Sequence, residues 1–379
     1  MKEAWHKNDS KIYIIPQSLS ESEVMNHKQI ARKGTFICPY CKAKLIVKSG
    51  EVLGNFFSHQ HGEGCEPSKL SEARYRKYEK QKKNDTPRHL QILALMNDEL
   101  EVLSRVYPHL SISYGYLNSD FKKYIPDLAL KINANKYAIT ILTNISNSTD
   151  SSIAKSIQQE RIYYKSLGFD ALFFIERNNL GVDTNGRSLV LWAAEREALS
   201  TQKADLHWVE FLSKLAPMNE QQKVLKLPNT ELIVKSILYI TPANEEIAIE
   251  SFRVLEQKNA TPARAYFLSE PYKLTFSKAF KLDNDSLTLS DLQIESEQQK
   301  QYAATFQRAK ALYAEEQEKL MRSNQEREGV IRIKPESKIW KGYKENNKSN
   351  QVDFKNNSYK KATKNERMEM LRRTYNSNN

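Results

Sequence analysis

Residues 36–65 read FICPYCKAKLIVKSGEVLGNFFSHQHGEGC, and this stretch holds all three cysteines of the 379-residue chain and two of its seven histidines. Cys38 and Cys41 are spaced C-x-x-C, so one tight turn can direct both sulfurs at a single ion. His59 and Cys65 follow an apolar hairpin and complete a tetrahedral ligand set. The spacing predicts a zinc ribbon, with strands near 43–47 and 51–57 and a turn at 48–50.

Two alternatives stay open for this stretch. The cysteines can be buried free thiols beside surface histidines, although C-x-x-C with a later His and Cys is a specific spacing. His61 can serve in place of His59, but not beside it, because residues two apart on a strand are separated by about 6–7 Å. A site with four protein ligands has no open position for substrate, so we expect a structural or docking role.

The basic residues of the chain are unevenly distributed. The chain has 58 Lys and Arg against 46 Asp and Glu, a formal net charge of +12. Residues 331–379 contain 13 basic and 5 acidic residues, and residues 69–83 contain seven basic residues in a helical pattern. These two runs predict DNA as a partner, because phosphate contacts come mainly from Lys and Arg. Incidental, solvated charge is the alternative for both.

Location and membrane contact follow from what the sequence lacks. No apolar run is long enough to span a bilayer, and the first residues, MKEAWHKNDS, have no apolar signal-peptide core. Three cysteines in one cluster do not form a disulfide framework. We therefore expect a cytoplasmic protein without a membrane partner; protein partners cannot be named from the sequence.

The middle of the chain alternates between helical and strand patterns. Thr86 is a suitable N-cap and Pro87 a suitable first residue for an amphipathic helix. Strands are predicted at 110–116, 124–132 and 136–143, then a helix at 152–167 that ends at Gly168, and a buried strand at 170–176. This order predicts an α/β core with a mixed sheet.

The remainder is predicted as a C-terminal α+β region followed by a disordered basic tail. Its expected elements are helices at 187–199 and 204–214, a strand at 230–240, a helix at 242–258, two short strands and a charged docking helix at 287–327. Aromatic residues among the charges of the tail suit single-stranded DNA, and a plain solvated tail is equally compatible. The predicted domains are 1–83, 84–200, 201–328 and 329–379.

Several short motifs occur in an order that resembles the competence protein CoiA family over about residues 10–180. The family joins a zinc-ribbon module to a PD-(D/E)XK nuclease-like domain, so the resemblance implies a restriction-endonuclease-like core and a part in DNA uptake, processing or recombination. The motifs are the C-P-x-C of Cys38 to Cys41, the F-x-H ending at His59, the helical His89, Pro126-Asp127, and the R-x-x-Y-x-x-x-G of Arg161, Tyr164 and Gly168.

The chain departs from that family at its catalytic positions. There, a strand-ending Asp and a Glu on the next strand hold Mg²⁺, and a Lys or Gln two residues further on positions water. Aligned on this pattern, Asp127 is present, but Thr140 and Leu142 stand at the other two positions. Asp127 alone should hold Mg²⁺ poorly, which predicts little nuclease activity.

Other residues could restore such a site. Glu160, Lys155 and Lys165 on the following helix are candidates to face the same pocket, and Mg²⁺ would then remain a cofactor. Asp127 and His89 also have plainer interpretations, as a turn-capping residue and a packing residue. We therefore predict a zinc-containing DNA-binding protein with a degenerate nuclease-like domain, with an active metal-dependent nuclease and a protein-interaction scaffold as the alternatives.

Overall fold

A computed structural model of the chain describes residues 1–17, 19–51, 54–177, 181–184, 186–243, 246–283 and 286–331. Side chains are described within these ranges, except at 242, 243, 246, 247, 283 and 326–331. The predicted basic tail therefore lies almost entirely outside the described residues.

The N-terminal part consists of two small sheets around one helix. Strands β1 (Glu3–His6), β2 (Lys11–Ile14) and, after helix α1 (Glu21–Arg32), β3 (Phe36–Ile37) form an antiparallel sheet in the order β2-β1-β3. Strands β4 (Leu45–Gly50) and β5 (Gly54–His59) form the expected hairpin. The small core of the N-terminal part includes the buried side chains of Phe36, Leu45 and Phe57.

The predicted turn at 48–50 is wrong. These three residues continue β4 and pair with β5, as Lys48 with Phe56 and Ser49 with Asn55. Gly50 pairs with Gly54, whose φ of 59° is a left-handed conformation that glycine adopts without strain.

Helix α2 (Glu66–Gln81) connects this part to the rest of the chain and contacts both. Ser71 Oγ donates a 2.6 Å hydrogen bond to the buried Glu3 carboxylate, and Arg74 Nε donates at 2.8 Å to the Tyr116 carbonyl oxygen. The helix predicted within 69–83 is confirmed, and its buried side is made of small and aromatic residues on an otherwise polar helix.

The predicted α/β core is confirmed in its order of elements. Helix α3 (Pro87–Val106) begins after Thr86, followed by β6 (Leu110–Tyr114), a short 3-10 turn (Gly115–Leu117), β7 (Leu128–Ile132) and β8 (Asn135–Leu142). Helix α4 (Asp150–Ser166) ends before Gly168, whose φ is 76°, and β9 (Asp170–Glu176) follows.

The C-terminal elements combine helices with a run of antiparallel strands, as predicted for an α+β region. They are β10 (Ser188–Val190), α5 (Ala193–Ala198), α6 (Lys203–Leu215), α7 (Met218–Val224), β11 (Leu232–Ala243), β12 (Glu246–Gln257), β13 (Arg264–Phe267), β14 (Tyr272–Thr275), α8 (Phe276–Ala279), β15 (Leu282–Asp283), β16 (Ser286–Leu287) and α9 (Leu292–Ile331).

One mixed sheet of nine strands organises the core. Its order is β10-β13-β12-β11-β9-β8-β7-β6, with β14 also paired to β12. Strand β9 lies parallel to both β8 and β11, so the sheet continues across residue 200 without a break. The division of the chain into domains at that residue stays a prediction.

Helices cover both faces of this sheet. Leu172 and Phe174 of β9 pack into the core that contains α3, whereas Phe173 and Ile175 pack against α4 and α5. This alternation is the two-residue period of a strand buried on both sides. The predicted docking role of the last helix is also confirmed, since Phe306 of α9 is fully buried against α7.

The predicted helix at 242–258 is wrong, because Glu246–Gln257 forms β12, a strand in the interior of the sheet. Arg253, fully buried in β12, forms ion pairs of 3.4 Å with Asp205 of α6 and 3.2 Å with Glu295 of α9. Such buried polar residues interrupt the apolar run expected of a central strand and so hide it from a pattern search. The helix predicted at 187–199 is also wrong in its first half, which forms β10.

Candidate metal centre and the Asp127 cluster

The four predicted zinc ligands come from three separate places in the chain. Cys38 and Cys41 lie in the turn between β3 and β4, His59 is the last residue of β5, and Cys65 precedes α2. The hairpin brings His59 back beside the C-x-x-C turn, and Gly62, with a φ of 76°, allows the chain to reverse again before Cys65.

These four side chains form a compact group. One ligand atom from each lies within 4.8 Å of every other, Cys38 Sγ is 3.7 Å from Cys65 Sγ, and Cys41 Sγ is 3.2 Å from His59 Nε2. A tetrahedral zinc with Zn–S bonds near 2.3 Å has sulfur atoms about 3.8 Å apart, so the spacing fits this ion. His61 is exposed and lies outside the group.

Metal binding would change the protonation of the buried sulfur, because the thiolate and not the thiol is the metal ligand. Burial raises the pKa of the Cys38 thiol to about 12, so a neighbouring positive charge is needed to keep this sulfur as the thiolate that binds metal. Four protein ligands fill a tetrahedral site, which makes this a structural type of centre. A Cys3His group is therefore present that could bind a metal ion and fits a zinc ribbon.

The second group of polar residues surrounds Asp127, directly before β7. The backbone places this residue tightly: the Asp127 N–H donates to the Ile139 carbonyl at 2.8 Å, and the Gly115 N–H donates to the Asp127 carbonyl at 3.1 Å. A Cβ on Gly115 would lie 1.9 Å from the Pro126 carbonyl oxygen, so only glycine fits at this turn.

Four donors occupy the Asp127 carboxylate. Tyr78 Oη lies 2.6 Å and His89 Nε2 2.9 Å from Oδ1, while Lys82 Nζ lies 2.9 Å and the Ile141 N–H nitrogen 2.7 Å from Oδ2. An ionised carboxylate only accepts, so the His89 contact requires a proton on Nε2. Asp127 is completely buried, and we call these residues, with Asp85 and Glu160, the Asp127 cluster.

Lys82 supplies the positive charge inside this cluster. Its ammonium nitrogen lies 3.5 Å from Asp85 Oδ2 and 3.4 Å from the Ile141 carbonyl oxygen, in addition to the Asp127 contact. Burial raises the pKa of Asp127, but Lys82, His89 and the Ile141 N–H outweigh it and hold that pKa well below its usual range. Burial lowers the pKa of Lys82, but the surrounding carboxylates, first Asp127, raise it more.

Glu160 of α4 reaches the edge of the same cluster. Ser156 Oγ donates to Glu160 Oε1 at 2.8 Å, and Thr140 Oγ1 lies 3.5 Å from Oε2. Burial raises the pKa of Glu160, and Lys82 offsets this only in part. Leu142, at the position where the nuclease pattern has Lys or Gln, packs in the apolar core beside α4.

The structure does not bring every candidate residue to this cluster. Lys165 lies exposed near the starts of β8 and β9, whereas Asp127 contacts Ile141 near the end of β8, about 13 Å further along the strand. Lys155 is exposed on α4. Sequence reasoning missed Tyr78 and Lys82, which are four residues apart and so lie on one helical face. The available signal was an aromatic residue within an otherwise polar helical run.

Taken together, the chain is a mixed α/β protein with an N-terminal Cys3His centre of the zinc-ribbon type. Residues 18–68 match the family model "Competence protein CoiA, N-terminal domain", a range that includes all four candidate ligands. No curated protein and no solved structure gives a significant match to the chain. Among the described helices, none combines the length and apolar character needed to cross a membrane.

Proposed function

We propose that this protein binds DNA during uptake, processing or recombination, and that its nuclease-like core holds DNA without cutting it. The pathway rests on the match of residues 18–68 to the CoiA N-terminal domain and on the Cys3His group within it. The match ends before the nine-stranded sheet, so the nuclease-like assignment of the core rests on the Pro126-Asp127 motif and its surroundings.

The proposed lack of DNA cleavage rests on the protein groups that already contact the Asp127 carboxylate. Mg²⁺ prefers carboxylates together with waters and substrate phosphate oxygens. Here the Lys82 ammonium already lies against Asp127 and Asp85, and all four donors to the Asp127 carboxylate come from the protein. A divalent ion would have to displace Lys82, with its charge, from a buried site.

DNA binding is supported by the placement of basic side chains. Lys77, Lys80 and Lys83 are exposed along and just after α2, and Lys122 and Lys123 lie exposed in the loop that Lys77 contacts. The sequence of residues 331–379 adds eight of the twelve net positive charges. Both regions could contact a phosphate backbone, and Cys65, one of the candidate zinc ligands, directly precedes α2.

The test measures binding and cleavage with the same preparation. Full-length protein should bind labelled DNA with an affinity that falls steeply with salt, and supercoiled plasmid should stay intact in Mg²⁺ or Mn²⁺. Removal of residues 329–379 should reduce the slope of log affinity against log salt by about 0.7–0.9 for each phosphate that these residues neutralise. Salt-independent or absent DNA binding would instead support a protein-interaction scaffold.

A second candidate is an active metal-dependent nuclease, and Glu160 favours it. This carboxylate approaches the cluster from α4 and could replace the Glu that Thr140 does not supply. In that case wild-type protein should nick plasmid in Mn²⁺, and Asp127→Ala should abolish the nicking. Cleavage that persists in Asp127→Ala would point to a contaminating nuclease.

A further inference from the structure

A polar cavity lies away from both the Cys3His group and the Asp127 cluster. It has a volume of about 600 Å³ and lies where the C-terminal half of α4, the α5–α6 connection and the starts of β8 and β9 meet. Ligand sites of proteins commonly have volumes of about 300–1,000 Å³. The cavity is therefore large enough for an organic ligand and not only for a single ion.

Basic side chains dominate the charge of this cavity. Three carboxylates also line it, Asp170, Glu197 and Glu256, which leaves a formal surplus of two positive charges. Glu197 is engaged by Arg196 at 2.9 Å, and burial raises the pKa of Glu256, which weakens its opposing charge. The five cationic residues are Arg161, Lys165, Arg196, Lys203 and Lys235.

Arg161 is the fixed member of this set. Its Nη2 donates to the carbonyl oxygens of Glu197 at 2.7 Å and Leu199 at 3.0 Å, and its guanidinium lies 5.1 Å from the ring centre of Phe173. These partners are neutral groups that orient the guanidinium without cancelling its charge, and arginine stays protonated. The side-chain ammonium of Lys165 makes no hydrogen bond or ion pair with the residues the structure describes, and it is exposed.

We propose that this cavity binds a phosphate monoester of nucleotide size. A phosphate monoester carries about −1.5 to −2 charges at pH 7, which matches the surplus of two. Lys and Arg are the usual partners of phosphate oxygens, and the apolar lining by Phe169, Leu172 and Leu287 can contact the organic part. The ligand is either a free nucleotide or the 5′-phosphorylated end of a DNA strand, and this inference does not depend on the proposed function of the Asp127 cluster.

Titration calorimetry with the full-length protein tests the proposal. Deoxyadenosine monophosphate should bind at least about tenfold more tightly than deoxyadenosine, because its phosphate gains charged hydrogen bonds to Lys and Arg. Lys165→Glu should weaken binding of the monophosphate at least about tenfold. Lys155→Glu, an exposed lysine of the same helix outside the cavity, should leave it unchanged.

Oligonucleotides with and without a 5′-phosphate identify the source of the ligand. Tighter binding of the phosphorylated oligonucleotide that disappears in Lys165→Glu supports a strand end; binding of the monophosphate without such a preference supports a free nucleotide. The proposal is overturned if neither the monophosphate nor the 5′-phosphate contributes to binding at millimolar concentration. Equal losses of affinity in Lys155→Glu and Lys165→Glu would overturn it as well.

Discussion

The Cys3His group and the Asp127 cluster both collect metal-ligand side chains, but only one of them contains its own cation. In the Cys3His group, three sulfurs and an imidazole nitrogen lie within 4.8 Å of one another, and the 3.7 Å between Cys38 Sγ and Cys65 Sγ matches an edge of a zinc tetrahedron. In the Asp127 cluster, the Lys82 ammonium lies 2.9 Å from the carboxylate. The first group could bind a metal ion between its four ligand atoms, whereas the second already contains a cationic side chain.

We infer from this difference that the residue types around a site do not by themselves decide whether it can bind a metal. The cluster has the carboxylates of a magnesium site in Asp127, Asp85 and Glu160. However, the Lys82 ammonium and three other hydrogen-bond donors already contact the Asp127 carboxylate. Removing a buried charge from its partner is costly, so the lysine should compete effectively with a divalent ion. The predictions below test this contrast.

The largest effect is expected from loss of the zinc ligands. Structural zinc contributes about 10–16 kcal/mol of apparent binding free energy in zinc-finger peptides, so Cys38→Ser should lose the metal and unfold the N-terminal part. Metal analysis should give about one zinc per chain for wild type and none for the variant. Hydrogen exchange should show reduced protection in β4 and β5.

The matched control is His61→Ala, which removes an exposed imidazole outside the ligand group and should keep its zinc. Wild-type protein that contains no zinc after purification under reducing conditions would contradict the assignment. A loss of zinc in His61→Ala would show that His61, and not His59, is the fourth ligand.

Replacement of Lys82 should have the next largest effect. Lys82→Ala leaves Asp127 without its cation, and removing one partner of a buried ion pair costs about 3–5 kcal/mol of unfolding free energy. Because the cation position becomes free, Mn²⁺ should raise the melting temperature of the variant but not that of wild type. Chemical denaturation and thermal melting with and without Mn²⁺ measure both effects.

Lys83→Ala, which removes the exposed neighbouring lysine, is the control and should change stability by less than about 0.5 kcal/mol. If Mn²⁺ stabilises wild type as strongly as Lys82→Ala, the lysine does not exclude the ion. The contrast between the two sites would then disappear.

The pH dependence of stability should change in Asp127→Asn. The pKa of Asp127 is depressed in the folded protein, so its contribution is present above the unfolded pKa near 3.9 and is lost as the pH falls through the folded value. For a carboxylate of this kind the contribution is about 2–3 kcal/mol. Unfolding free energies at a series of pH values from 2 to 7 should show this acid-induced loss in wild type and not in Asp127→Asn.

Glu160 should change the pH dependence of stability in the opposite direction, because burial raises its pKa in the folded protein. Its stabilising contribution is complete below its unfolded pKa and is lost as the pH rises through the folded value. Glu160→Gln should therefore reduce the loss of stability above about pH 4.3 and retain the acid-induced loss. Identical pH profiles for the two variants would contradict the assignment of opposite shifts.

The smallest effect is expected at Gly115. In Gly115→Ala the added methyl group meets the Pro126 carbonyl oxygen, and the resulting shift of the segment before Asp127 should cost about 1–3 kcal/mol. Gly50→Ala is a suitable control, because a Cβ there has no neighbour within 4 Å. Equal stability of the two variants would show that the turn at Gly115 does not hold Asp127 in place.

Much of the local structure could be predicted because short-range signals encode it. Thr86-Pro87 marks the start of α3, Gly168 the end of α4, and the DALFFIE pattern gives β9 within one residue. The same reasoning failed for β12, because Arg253 in that strand is paired with Asp205 and Glu295, which lie far away in the sequence. A pattern search sees the polar residue but not its partners.

By itself, the sequence determined the Cys3His centre, since C-x-x-C, a hairpin and a following His and Cys bring four ligands together through local chain geometry. It also determined the order of helices and strands between 86 and 176. The tertiary structure alone decided that Lys82 occupies the Asp127 carboxylate, that Lys165 lines a separate cavity, and that one sheet continues past residue 200. These features depend on contacts between segments distant in the chain, whose pairing is set by packing of the whole core and not by the spacing of neighbouring residues.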